Sequence, residues 1–213
     1  MIKHIINLNK TITEKYFKEE KYPWDVLNNL NNIIKEIDKS GFEEIKPNIW
    51  VGKNVIIADT SNIIGPCIIG DNTEIKHCAY IRENVIIGKN CTIGNSTEIK
   101  NSILFDEVAV PHFNYIGNSI LGHKSHFGAG AITSNLKSDK TNINIRINDI
   151  TYQTSCKKFG AIVGDNVEIG CNSVLTPGTV IGKNTTVYPL TMVRGEIKEN
   201  KIVKNSENIV DKK

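Results

Sequence analysis

His112 is the residue whose type and setting most suit chemistry. It sits in the run Val110-Pro-His-Phe-Asn-Tyr115. An imidazole ordinarily changes charge close to neutral pH, so it can take a proton from an incoming hydroxyl or amine. Pro111 stiffens the chain before it. Tyr115 brings a phenol three residues later that could orient an acceptor. His126 is the next candidate, as an acceptor ligand or an alternative base; a surface histidine without a role is an equal reading. His77 and His123 are expected at corners of the chain path. No histidine pair has the spacing of a metal-binding element, and no metal site is expected. Arg82 and Lys100 form a second group. Each directly follows an isoleucine, and they lie 18 residues apart. Arg can grip a phosphate through two parallel hydrogen bonds and Lys adds a point charge. The pair is a candidate anion site, with solvated surface charge as the alternative.

The frame that must position these groups is a repeat. From Ile63 the chain reads in sixes, beginning Ile63-Ile-Gly-Pro-Cys-Ile, Ile69-Gly-Asp-Asn-Thr-Glu, and continuing to Ile99-Lys-Asn-Ser-Ile-Leu104. One short strand and one corner fill six residues, and three such units close a triangular coil. The expected fold class is an all-β solenoid, a parallel β-helix with inward isoleucines and Gly or Asn at the corners. Arg82 and Lys100 should then stack on one edge. The phase breaks after Phe105 and resumes at Leu121, two residues out. The slip is expected across Val110–Tyr115, as a bulge or turn holding His112.

Other segments decorate the solenoid. The periodicity predicts a helix over Pro23–Lys39, with Trp24, Leu27, Leu30, Ile34 and Ile37 as its apolar stripe. It is expected to cap the open end of the solenoid, which otherwise exposes strand edges. Ile2–Leu8 reads as a strand. Asn142–Ile147 and Ile150–Thr154 alternate around an Asn-Asp turn and predict a hairpin arm projecting from the solenoid. The sixes resume at Val163 in the phase of Leu121, so the arm is an insertion. Residues 1–47 form the N-terminal segment with its capping helix. Residues 48–197 form the solenoid, with 135–160 as inserted loop and arm. Residues 198–213 form a charged tail, expected to add a strand at Lys201–Lys204 and then fray.

Net charge is +3 and charged residues are 23%, so no basic face argues for nucleic acid. No window approaches the roughly 20 apolar residues of a membrane span, and no secretion signal is evident. The five cysteines are Cys67, Cys78, Cys91, Cys156 and Cys171. Their number is odd and their spacing unpaired. Cys67 and Cys91 fall in the small inward slot and read as core thiols, so a reducing, cytoplasmic location is expected.

Three motifs carry a resemblance. Glu98-Ile-Lys100, Pro111-His-Phe-Asn-Tyr-Ile-Gly117 and Gly128-Ala-Gly-Ala-Ile-Thr-Ser-Asn135 resemble the hexapeptide-repeat acyltransferases. They are most similar to the C-terminal acetyltransferase domain of the bifunctional enzymes that make UDP-N-acetylglucosamine. Lys157–Gly164 and Leu175–Gly178 resemble a branch in which such a domain ends sugar-1-phosphate nucleotidyltransferases. The likeness spans roughly residues 48 to 197. It implies a left-handed β-helix, acetyl-CoA as acyl donor, and a homotrimer with active sites between neighbouring helices, the arm reaching over a neighbour. It implies His112 as general base, Arg82 and Lys100 on the acceptor's phosphate, and Tyr115 at the acceptor. Asn135 would contact acceptor or pantetheine, Cys171 would line the coenzyme slot, with core packing an equal reading for it, and amides of Gly128–Gly130 would hold the oxyanion. The chain departs from the pattern at His126, Cys171 and Leu136, where those enzymes carry Asn, Ser and an aromatic. Nothing resembles their nucleotide-binding loop, so pyrophosphorylase activity is not expected. The implied activity is acyl transfer to an amino sugar, sugar phosphate or nucleotide sugar. The alternative is a stand-alone sugar-nucleotide-binding or oligomerising module.

Overall fold

The computed structural model describes residues 4–212. Short parallel strands alternate among two nine-stranded sheets and one seven-stranded sheet, so the chain winds as a triangular β-helix. Face A includes Cys67–Ile69, Val85–Ile87, Ser102–Leu104, Ile120–Leu121 and Ala161–Val163. Face B includes Thr92–Asn95, Ala109–His112, His126–Phe127 and Glu168–Ile169. Face C includes Tyr80–Ile81, Glu98–Lys100, Tyr115–Gly117, Ile132–Thr133 and Val174–Leu175. The repeated isoleucines point inward and stack in register: Ile81 beside Ile99, Ile99 beside Ile116. Ile81, Ile99 and Ile116 are fully buried, each worth roughly 1.5–3 kcal/mol of burial. Two residues before each inward isoleucine of the repeat, Ile69, Ile75 and Ile93 included, lies a small inward slot. Thr73 there donates to Gly88 O at 2.9 Å and Thr97 to Val110 O at 3.0 Å. Cys67 and Cys91 fill the same slot as expected; burial drives both thiol pKa values up, Cys91 to about 12.

The phase slip is not at His112. Ile69 pairs with Ile87, 18 residues on, but Ile87 pairs with Leu104 and Leu104 with Leu121, each 17 on. Val110 to Ile116 is a complete unit. The missing residues come from two corners between faces C and A, at Asn101 (φ 44°) and Asn118 (φ 49°). Asn tolerates this left-handed conformation, which turns the chain within a shorter corner. A phase count shows that residues are lost but not at which corner, and so the expected bulge across Val110–Tyr115 was misplaced.

The helical segment does not cap an end. It forms α1 (Glu14–Glu19), α2 (Pro23–Asn28) and α3 (Leu30–Glu36), with the expected single helix interrupted at Asn29. Pro23 opens α2 as expected. The stripe Trp24, Leu27, Leu30 and Ile34 packs on the outer side of face A, against Ile68, Ile86, Ile103, Ile120, Ile162 and Val180. These outward residues are at most 1% exposed. An outward row of isoleucines must be covered, and the helices cover it. The hairpin, Asn144–Ile147 with Ile150–Gln153, lies on the same face. Ile143, Ile145 and Ile147 are buried in that cluster, and Tyr152 meets Trp24 at 5.9 Å. The arm therefore folds onto its own chain and does not project. Antiparallel strands finish the sheets: Glu43–Lys46 beside Ile49–Val51, and Lys201–Asn205 beside Asn208–Asp211. The tail thus closes as a hairpin where fraying was expected. Of the expected strand Ile2–Leu8, residues 2 and 3 lie outside the described residues; Leu8 opens a 3-10 turn, Leu8–Lys10, and among the described residues of that span no strand forms.

Candidate functional site

His112 ends the strand Ala109–His112 at the edge where faces B and C meet, paired with Asn95 of the preceding coil. Its main chain is held on both sides. Its N–H donates to Asn114 Oδ1 at 3.1 Å, and its carbonyl accepts from Gly130 N–H at 3.0 Å. Asn114 is 2% exposed and occupies the small inward slot. Its amide nitrogen donates to Gly128 O at 2.9 Å and Ala131 O at 3.0 Å. A polar group buried here must be fully bonded, and it is. Gly94 lies directly against this strand: a Cβ there would fall 1.5 Å from Pro111 O. Asn114 and Gly94 thus fix the His112 corner, and the sequence reading missed both. The available signal was an Asn where the repeat carries Thr, Ala, Cys, Ser or Val. The His112 side chain is exposed, and among the described residues its ring makes no hydrogen bond.

Face C carries the second group. Glu98, Ile99 and Lys100 pair with Tyr115, Ile116 and Gly117. Tyr115 points outward, and its ring turns across Gly117. A Cβ on Gly117 would lie 2.7 Å from both Tyr115 Oη and Asn135 Nδ2. Asn135 donates to Tyr115 Oη at 3.2 Å and to Asn118 Oδ1 at 2.7 Å. Tyr115 and Asn135 meet because Gly117 leaves room, and Lys100, on the preceding coil, pairs with Gly117.

Arg82 and Lys100 stack on adjacent coils, as the spacing requires. Their charges are already met. Arg82 Nη1 donates to Glu98 Oε1 at 3.0 Å, and Lys100 Nζ lies 3.1 Å from Glu83 Oε1. The Glu98 bond makes the guanidinium hold its proton more tightly. The Glu83 carboxyl is pulled down by its own backbone N–H and by Lys100. The four charges sum to zero, so an incoming anion competes with two carboxylates. Arg82 Nε is buried without a hydrogen bond.

His126 sits on face B, pointing outward beside Glu168 of the next coil; its Nδ1 lies 2.8 Å from Glu168 Oε2. Glu168 is a partner that the sequence reading did not name, because 42 residues and the arm separate the two. Cys171 is exposed at the B–C edge, in the column of His112 with Ala129 between them. That places them about 10 Å apart along the edge, two strand spacings. Asn135 stands at the opposite edge of face C, so the two expected coenzyme contacts are not brought together. The expected oxyanion donors are mostly spent: Gly128 N–H donates to Ile169 O and Gly130 N–H to His112 O. These bonds belong to the coil-to-coil ladder. Of that trio, among the described residues, Ala129 N–H makes no main-chain bond. Two clefts, about 330 Å³ at the arm root and about 280 Å³ beside the arm tip, are lined by neither His112 nor Lys100.

A model of the GMPPB C-terminal domain matches residues 63–155, and one of the bacterial transferase hexapeptide matches residues 160–195. The two matches meet at the arm root. YaiX of Escherichia coli K12, named as an uncharacterized acetyltransferase, is 30% identical over 164 residues, 68% of this chain and 70% of that protein. The chain belongs to the hexapeptide-repeat transferase family. The β-helix is accordingly the left-handed kind. Within the family, the bifunctional protein GlmU of Methanococcus vannielii is 35% identical over 204 residues, 93% of this chain and 49% of that protein. A bifunctional sugar-1-phosphate nucleotidylyltransferase/acetyltransferase of Sulfurisphaera tokodaii is 27% identical over 194 residues, 86% of this chain and 48% of that protein. The chain spans about half the length of these two-function relatives. Among the described residues no helix is long and apolar enough to cross a membrane.

Proposed function

We propose that this chain is a coenzyme A-dependent acyltransferase that moves an acetyl group from acetyl-CoA to an amino sugar, sugar phosphate or nucleotide sugar. The observation that carries this reading is His112: its main chain is pinned by Asn114 and Gly130 while its ring stands free at an exposed edge. A base needs that combination, fixed in place with an open nitrogen. The names of the Sulfurisphaera and Escherichia relatives support acetyl transfer. As the acceptor's amine or hydroxyl attacks the thioester carbonyl, His112 takes its proton; the tetrahedral intermediate then collapses with cleavage of the C–S bond, and the departing thiolate takes that proton from His112 and leaves as thiol. Tyr115 and Asn135 orient the acceptor, Arg82 and Lys100 hold its phosphate, and His126 with Glu168 flanks the acceptor from face B. Cys171 lines the coenzyme path. These residues spread over both edges of face C. That spread supports a site completed by a second copy, in a homotrimer; a solution mass of one chain by light scattering would overturn the assembly.

The test is calorimetric titration with acetyl-CoA, followed by acceptor-dependent thiol release, for the native chain and His112→Ala. Both should bind near one site per chain, and the variant should lose release by about 100-fold or more. No binding of acetyl-CoA, or unchanged turnover by the variant, overturns the proposal. One observation favours a second reading: the His112 ring has no partner to orient it. In that reading the chain is a sugar-nucleotide-binding and oligomerising module. Binding of UDP-N-acetylglucosamine without acetyl-CoA binding would select it.

A further inference from the structure

A cluster outside the acyl-transfer residues has the geometry of an activated nucleophile. Cys78 is exposed at the B–C edge, two coils before Phe113 in the same column. Its Sγ lies 3.2 Å from His77 Nε2. His77 Nδ1 lies 2.7 Å from Thr60 Oγ1 on the preceding coil. Thr60 Oγ1 also accepts the N–H of Cys78 at 3.3 Å, which ties the thiol's backbone to the group that orients the imidazole. A nucleophile, a base within reach and a third group fixing that base are what a reactive thiol requires. With the ring proton on Nδ1 and donated to Thr60, Nε2 is left to accept the thiol proton.

The other cysteines lack this arrangement. Cys67 and Cys91 are buried, and burial holds them as thiols. Cys156 Sγ contacts Asn28 Oδ1 at 3.2 Å and Thr154 O at 3.1 Å, with no base. Cys171 is exposed on the same edge as Cys78, yet among the described residues it has no side-chain hydrogen-bond partner. Cys171 is thus an internal control of equal exposure class.

We propose that Cys78, with His77 as proton acceptor and Thr60 as positioning residue, is a modification site that takes small disulfides. The Cys78 thiol gives its proton to His77 Nε2, and its sulfur attacks one sulfur of the disulfide. The disulfide's S–S bond breaks as the new Cys78 S–S bond forms. The departing thiolate carries the electron pair and takes the proton from His77. The co-reactant is the disulfide itself, and no other oxidant is needed. The adduct would sit on the edge that also carries His112. His77 stacks on Asn95 and Asn95 on His112, so the two histidines are about 10 Å apart. The inference does not depend on the acyltransferase reading.

The experiment treats the full chain with hydroxyethyl disulfide, a neutral probe, and follows each cysteine by peptide mass mapping over time. Cys78 should be modified at least about ten times faster than Cys171, a threshold set below the roughly 100-fold that a positioned base gives at its low end. His77→Asn should bring Cys78 to the Cys171 rate without lowering the melting temperature, since the next coil already carries Asn95 at this place. Thr60→Val should slow Cys78 by less. Equal rates at Cys78 and Cys171 in the native chain overturn the proposal. So does a fast Cys78 that survives both substitutions.

Discussion

Faces A and C of the solenoid share one inward pattern and differ wholly in what they show outside. On face A the outward residues Ile68, Ile86, Ile103, Ile120, Ile162 and Val180 lie beneath the helices and the arm. On face C the same register positions hold Tyr80, Glu98, Tyr115, Ile132 and Val174, none of them fully buried. The inward residues build the coil, and the outward ones decide its use. One face is spent on holding the N-terminal segment and the arm. The other, with its edge toward face B, stays open and carries the polar groups to which the proposed function assigns the substrate.

The contrast can be broken first at its strongest point. Ile86→Ala removes a fully buried side chain from under the helices and should cost about 2–5 kcal/mol in urea unfolding. Ile132→Ala makes the same change in the same outward position of face C and should cost under about 1 kcal/mol. Equal losses would mean that face C is covered as face A is. Gly117→Ala comes next. Its Cβ would collide with Tyr115 Oη and Asn135 Nδ2, so the pair must part. Stability should fall by about 1 kcal/mol, while thiol release falls more than tenfold, with acceptor KM rising; unchanged kinetics would remove Tyr115 and Asn135 from the site.

The smallest effect is expected at the edge between faces A and B. Asp71 accepts from Lys89 Nζ at 2.8 Å and from Lys53 N–H at 2.9 Å. Those bonds, the Lys89 bond foremost, pull its carboxyl below the usual range. A depressed folded pKa stabilises the protein above the unfolded pKa and is lost as pH falls through the folded one. Asp71→Asn should cost about 0.5–1 kcal/mol near neutral pH and nearly nothing once the native carboxyl is protonated. Urea midpoints of both proteins across acid pH check the sign.

Much of the fold was legible because the sixes are strict. Ile63, Ile69, Ile75 and Ile81 announce strands and corners before any coordinate is known. The hairpin's alternation over Asn142–Ile147 and Ile150–Thr154 was equally plain, and strands form at Asn144–Ile147 and Ile150–Gln153. The stacking of Arg82 on Lys100 followed from an 18-residue separation alone. What stayed hidden depends on which face a residue meets. Trp24 and Leu30 announce an apolar stripe but not its partner, so a cap for an end was as reasonable as a cover for a side. Ile143, Ile145 and Ile147 alternate whether the arm projects or lies down. His126 gives no hint of Glu168, because only the coil brings the two together.

By itself the sequence determined the period, the inward columns and the corner residues, and it named the candidates for chemistry. These are local consequences of residue type and spacing, repeated each coil. Only the tertiary structure decided that face A is covered, that the lost residues lie at Asn101 and Asn118, and that His112 is pinned by Asn114 and Gly94. The reason is physical. A six-residue unit fixes whether a side chain points in or out, but the energy of an outward side chain depends on what distant segment packs against it.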